Sequence, residues 1–326
     1  MTGKFSRRDA LKAGAAAVAG TLVPAAFAQG DGTLKLVVTF PPGGSTDITA
    51  RIMQPRLAEL AGRPVVVENR PGAASQVGTL FVARSAPDGN TVLVCFDTHA
   101  INPIAKKNLP YDTFKDFVGL SLAVRFPLVI AAAAAVPGKD LKEFLAAAKQ
   151  APGKFSYAST GVGSMNHLVA EDLKRQAATD LLHVPYGGGG PAVQAVLGNT
   201  VSLTLLSYAA LRANLSAGRI KALAVTGTKR LADLPDVPTV AESGFPGFEA
   251  YSWIGIFAPS ATPAATVKKL TEDFQATLTS PDVRAKLTEA GFEVMATDGP
   301  ALDRYALQQY ERWNAFVKKT NLNVEE

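Results

Sequence analysis

Three times in this chain an apolar run breaks at a glycine-rich loop and restarts with a helical pattern, and this confines the fold more tightly than any other feature. In "LKLVVTFPPGGSTDITARIMQPRLAEL" the run Leu36–Phe40 stops at Pro41-Pro42-Gly43-Gly44 before a helix opens at Ser45–Asp47. "KFSYASTGVGSMNHLVAEDLKRQ" and "DLLHVPYGGGGPAVQAVLGN" repeat the pattern around Gly161–Gly163 and Gly187–Gly190. "RPVVVENRPG" and "DGNTVLVCF" are further strands alternating with helical runs, and three amphipathic patterns close the chain after the strand-like "YSWIGIFAPSATP". Such alternation predicts an α/β fold with parallel sheets and right-handed crossovers, whose ligands sit outside the carboxyl ends of the strands. A chain of 326 residues, 47% hydrophobic, suffices for two domains, and a domain, a second domain and a closing segment permit two crossings and a hinged cleft.

Paired glycines let backbone N–H groups turn towards one point, and a helix N-terminus adds its positive end, so each loop is a candidate anion seat. A single such loop is no more than a tight turn. Three of them, each between strand and helix, suggest helix starts converging on one small anion. Nucleotides are disfavoured: "FPPGGSTD" lacks the Gly-Lys-Ser/Thr ending of a P-loop, and Gly161-x-Gly163 has Asn166 where a dinucleotide fingerprint needs its third glycine. Ser164 and His167 share a helical face and suit a nucleophile and base, but no Gly-x-Ser-x-Gly elbow and no acidic orienter accompany them. His99, His167 and His183 form no short metal-binding pair, and Asp47 reads as a helix-start carboxylate that shapes the pocket. Cys95, the only cysteine, excludes a disulfide framework and reads as a buried thiol.

The first residues, "MTGKFSRRDALKAGAAAVAGTLVPAAFAQG", combine a basic start, an Ala-rich stretch and Ala26-Phe27-Ala28, which predicts a secretory signal (1–28) cut after Ala28; Arg7-Arg8 resembles the twin-arginine export pair. Of the formal charge of +5, Lys4, Arg7, Arg8 and Lys12 against Asp9 place +3 in this leader. The remainder, near +2, gives no nucleic-acid footprint.

In order along the chain, "FPPGGSTDITAR", "RPVVVENRPGAASQVGTLFVARSAPDGNTVLV", "HAINP" with "LPYDTFKDF", "STGVGSMNHL", "HVPYGGGGPAVQAVLGN" and "ALAVTGTKRLADLPDVPTVAESGFPGFEAYSW" resemble the Bug family of extracytoplasmic solute-binding proteins of tripartite tricarboxylate transporters. The resemblance implies a two-lobed periplasmic binding protein fold of type II, each lobe a mostly parallel sheet flanked by helices. It places lobe 1 at 29–127 plus 256–326 and lobe 2 at 128–255, with the hinge crossed twice. It implies a monomer in the periplasm, without cofactor or metal, that captures a small carboxylated compound and delivers it unaltered to membrane permease subunits. An exported hydrolase using Ser164 and His167, or a ligand-sensing component for a membrane receptor, would use the same pocket.

In that family main-chain amides, hydroxyls and water hold the solute carboxylate with little use of arginine. Matched by motif, Phe40, Gly43, Gly44, Ser45, Thr46 and Asp47 serve on one lobe, and Ser159, Thr160, Gly161, Gly163, Ser164 and His167 on the other. Thr98, Tyr186 and Ser207 are expected to complete the wall. Ser164 is expected to donate a hydrogen bond to the carboxylate, and Gly44 to allow close backbone approach.

Overall fold

The computed structural model describes residues 32–324; the leader and its cleavage site lie outside them. The chain runs β1 (Leu34–Val38), α1 (Ser45–Ala61), β2 (Val65–Asn69), α2 (Gln76–Ala83), β3 (Thr91–Phe96) and α3 (Thr98–Ala105), then the long β4 (Phe117–Ala133). It continues through α4 (Leu141–Gln150), β5 (Phe155–Ser159), α5 (Met165–Gln176), β6 (Leu181–Pro185), α6 (Gly189–Leu197), β7 (Leu203–Ser207), α7 (Tyr208–Ser216) and β8 (Ile220–Val225). β9 (Tyr251–Pro259), α8 (Ala264–Thr279), α9 (Pro281–Glu289), β10 (Glu293–Val294) and α10 (Gly299–Thr320) complete it.

β1 lies between β2 and β3 and is parallel to both, as the strand-loop-helix repeats require. β5 likewise lies between β6 and β7, parallel to each. Their strands β1 and β7 are almost wholly apolar and buried, because a parallel sheet is covered by helices on its two faces, whereas the outer strands β2 and β6 are largely half-exposed. β9 adds antiparallel to β3. The joint between the two sheets is β4: Phe117–Pro127 pairs antiparallel with β9, and Leu128–Ala133 pairs antiparallel with β7 and β8. One 17-residue strand therefore belongs to both sheets. It is buried along nearly its whole length, so its apolar run is continuous where its partners change.

Local chemistry sets the helix ends. Gly62 ends α1 in the left-handed region at φ 62°, which costs a residue without Cβ little. Lys174 and Arg175 sit in the last turn of α5, beside its exposed carbonyls. No helix among the described residues is long and apolar enough to cross a membrane.

Candidate functional site

A cavity of about 550 Å³ opens where the carboxyl ends of both parallel trios meet. Around it stand the first residues of α1, α3, α5, α6 and α7: Gly44 and Ser45, Thr98, Met165 and Asn166, Gly189 and Gly190, and Ser207 just ahead of Tyr208. The first amides of a helix have no carbonyl of their own helix to bond. Five helix starts thus bring positive dipole ends to one space, although the Ala210 N–H at α7 is taken by Ser207 Oγ and the Thr98 N–H at α3 by the Asp97 carboxylate. Among the described residues, its wall contains no Lys, Arg or His. An anion placed here would meet backbone amides and hydroxyls and no cationic side chain.

The first loop is braced from behind by Asp47. Its carboxylate accepts from the Gly43 N–H at 2.9 Å, from Arg51 Nε at 2.9 Å and from Asn69 Nδ2 at 2.9 Å. Burial pushes this carboxyl up, but the Arg51 guanidinium, the Gly43 amide and the Asn69 amide together outweigh burial and hold it below its ordinary value. Asp47 and the fully buried Thr46 therefore lie behind the loop and not on the cavity wall, which Phe40, Gly43, Gly44 and Ser45 form. The residue that needs a left-handed backbone is Gly43, at φ 83°; Gly44 has φ −79°, open to any side chain. The left-handed residue of this loop is thus the one before Gly44, the glycine expected to allow close backbone approach.

The second loop spends most of its polar groups on itself. Ser164 Oγ has two acceptors for one proton, the Gly161 carbonyl at 2.6 Å and Asn166 Oδ1 at 2.5 Å. Asn166 Oδ1 also lies 3.3 Å from the Thr160 N–H and 3.2 Å from Thr160 Oγ1, and its amide donates to the Leu205 carbonyl at 3.1 Å. Gly163, at φ 73°, packs so closely on Ala105 and Val324 that a Cβ there would come within 2.5 Å of Ala105 Cβ. Its N–H donates to His167 Nδ1 at 3.1 Å, so His167 is neutral. The His167 ring stacks on His183 at 4.0 Å, and burial with the neighbouring His183 lowers its pKa to about 4. Ser159 Oγ lies 2.6 Å from His183 Nε2.

Of the residues expected on this side, Thr160 and Ser164 reach the cavity. Ser159, Gly161, Gly163 and His167 support the loop from behind, and Tyr186 stands off the wall with its N–H on the Ser159 carbonyl at 3.0 Å. Ser164 and His167 are not joined as nucleophile and base, because the serine hydroxyl and the imidazole each serve a different loop atom.

Thr98 lines the cavity and shares a hydrogen bond with Ser75 at 3.1 Å. Ser207 also lines it, and its Oγ meets Ser45 Oγ at 2.8 Å, joining the β1–α1 loop to the α7 start across the space. Sequence reasoning missed Asp97, Asn166, Phe96, Phe126 and Ser252, all on the wall. Asp97 stands at the carboxyl end of β3, a position that signals a ligand group. Phe126 and Ser252 come from the two strands where the sheets join, and no local pattern marks them.

The family profile described as tripartite tricarboxylate transporter family receptor matches residues 49–322. A UPF0065 protein from the tcbD-tcbE intergenic region of a Pseudomonas species is 36% identical over 88% of this chain and 86% of its own length. Among solved structures, the periplasmic binding protein BugD is 34% identical, covers 90% of this chain and 99% of its own, and superposes with a TM-score of 0.82. R. palustris Rpa4515 with adipate is 31% identical over 90% of this chain and 98% of its own, with a TM-score of 0.86. The chain therefore belongs to the tripartite tricarboxylate transporter receptor family, the Bug-type periplasmic solute-binding proteins, and is a solute-binding protein and not an enzyme.

Proposed function

We propose that this protein binds a small carboxylate in the 550 Å³ cavity, with the carboxylate held by the helix-start amides of α1 and α5, and hands it to the permease subunits of a tripartite transporter. The observation that carries this reading is an anion site built from helix starts with no cationic side chain on its wall. The adipate bound by Rpa4515 supports the ligand class. Phe40, Gly43, Gly44, Ser45 and Thr98 act from a lobe of residues 29–127 and 256–326, and Thr160, Ser164 and Ser207 from a lobe of 128–255. The lobes pivot where β4 exchanges partners at Pro127 and Leu128, with the first residues of β9 at the joint. The protein works as a monomer, after removal of its leader behind Ala28.

A thermal-shift panel of mono-, di- and tricarboxylates, amino acids, aromatic acids and neutral sugars tests the ligand class. A ligand at a hundred times its dissociation constant stabilises by about 2.7 kcal/mol, a readily measured gain. Carboxylates should raise the melting temperature and sugars should not; a panel in which only sugars act would refute the reading.

A further inference from the structure

One group on the cavity wall is at odds with an anion site. Among the described residues Asp97 is the only charged one on the wall, and it is 3% exposed. The bland role for an acid at this position, the N-cap of α3, is not the one it plays, since its side chain makes no cap hydrogen bond. It accepts instead from the Ser252 hydroxyl, which also lines the cavity. Beside it the rings of Phe40, Phe96 and Phe126 form a continuous aromatic wall, with centroids 5.1 Å apart between the first two and 6.1 Å between the last two. A buried carboxylate, a hydroxyl and aromatic faces are together the chemistry that receives a cationic nitrogen. A second carboxylate placed here would meet like charge.

We propose that Asp97, with Ser252 and the phenylalanine wall, is the subsite for an ammonium group, and that the solute is an amino-carboxylate whose acid end occupies the helix-start amides. This rests on the carboxylate reading above and narrows it. The ammonium N–H groups donate to the Asp97 carboxylate, and the ring faces cover the rest of the charge. A plain acid of the same length would set its uncharged end against the buried, ionised Asp97, which then keeps only the Ser252 hydroxyl and the N–H groups of Trp253 and Thr98. That penalty is the source of selectivity.

Burial outweighs the Ser252 hydroxyl and the N–H groups of Trp253 and Thr98, and raises the Asp97 carboxyl to about 7. The titratable groups facing it are the Cys95 thiol on β3 and the Tyr305 phenol on α10, both pushed upwards by burial, the phenol to about 12; Arg125, Arg312 and Glu249 also act on that phenol. Asp97 is therefore the group in this cluster that changes charge near neutrality. Amine preference should grow as pH rises through its value, since the aliphatic ammonium stays charged throughout.

The test is calorimetric titration of the mature protein with β-alanine, γ-aminobutyrate, ε-aminohexanoate and phenylalanine. Each is compared with its deaminated counterpart (propanoate, butyrate, hexanoate, phenylpropanoate), and succinate and adipate complete the set. At about pH 8 at least one amino acid should bind about tenfold or more tighter than its counterpart, and the ratio should shrink at about pH 6. Asp97→Asn, which keeps the shape and an acceptor for Ser252, should bring the two affinities within about threefold. The wild-type pH series needs no variant, so the test survives an unstable Asp97→Asn. Plain acids or diacids binding tighter than every amino acid, or binding that strengthens as pH falls, would overturn the ammonium subsite and leave the carboxylate reading standing. No binding by any carboxylate would overturn both.

Discussion

Asn166 organises the second loop from a single side chain. One amide oxygen collects Thr160 and Ser164, and the amide nitrogen fastens the loop to β7 through the Leu205 carbonyl. Its neighbour Ser164 spends its proton on the loop, so Ser164→Ala should lower stability as well as affinity, by about 1 kcal/mol in each, as removal of one internal hydrogen bond does. Asn166→Ala should cost more, about 2 kcal/mol of stability, because the Leu205 carbonyl and the Thr160 groups lose a partner together. Asn166→Asp is the sharper probe: it keeps the acceptor and sets a carboxylate oxygen against the Leu205 carbonyl. Urea unfolding and titration with the identified solute check all three. A Ser164→Ala variant with unchanged stability and strongly reduced affinity would return the hydroxyl to direct ligand contact.

At the scale of elements, α5 and β6 are clamped by the stacked His167–His183 pair. Burial, together with the His183 neighbour, holds His167 at about 4, whereas the unfolded chain titrates near the ordinary 6.5. Between those values the unfolded state takes up more protons, so stability is full above about 6.5 and falls as pH drops towards 4. Buried His99, held at about 3, acts in the same direction. His167→Gln should flatten the loss between pH 7 and 4.5 in denaturant melts, and an unaltered slope would show that the pair does not carry the acid sensitivity. The strand-loop-helix units were legible in the sequence because each is local: a β-run, two glycines and a helix start lie within about 15 residues. The site was legible to the same depth. Phe40 to Ser45, with Thr160 and Ser164, reached the wall because helix starts announce themselves, while Asp47 and His167 turned inward because a charge or an imidazole next to the loop braces it more cheaply than it faces a ligand. What stayed hidden is non-local. The continuous apolar run of β4 gives no sign of changing sheets between Pro127 and Leu128, and the pairing of Asp97 with Ser252 spans 155 residues.

For the whole molecule the decisive question is relative motion of the two sheets about β4. Ser45 opens α1 and Ser207 ends β7, so their buried hydroxyl contact at 2.8 Å ties the two halves across the cavity. Hydroxyls this close are compatible with the Cβ separation that a disulfide needs, about 3.8 Å. The double variant Ser45→Cys, Ser207→Cys should therefore oxidise readily, and the only native cysteine, Cys95, is buried and does not compete. If solute enters by the halves parting, the oxidised form should neither take up nor release it on the timescale of a stopped-flow or dialysis measurement, and reduction should restore exchange. Ser45→Cys and Ser207→Cys alone, under the same oxidant, control for the lost hydroxyls. In the proposed motion the shared β4 bends near Pro127, where the ring removes a ladder donor and so weakens pairing at the partner exchange. Oxidised protein that exchanges solute as fast as the reduced form would mean that the cavity fills through a fixed opening, and the pivot in β4 would be wrong.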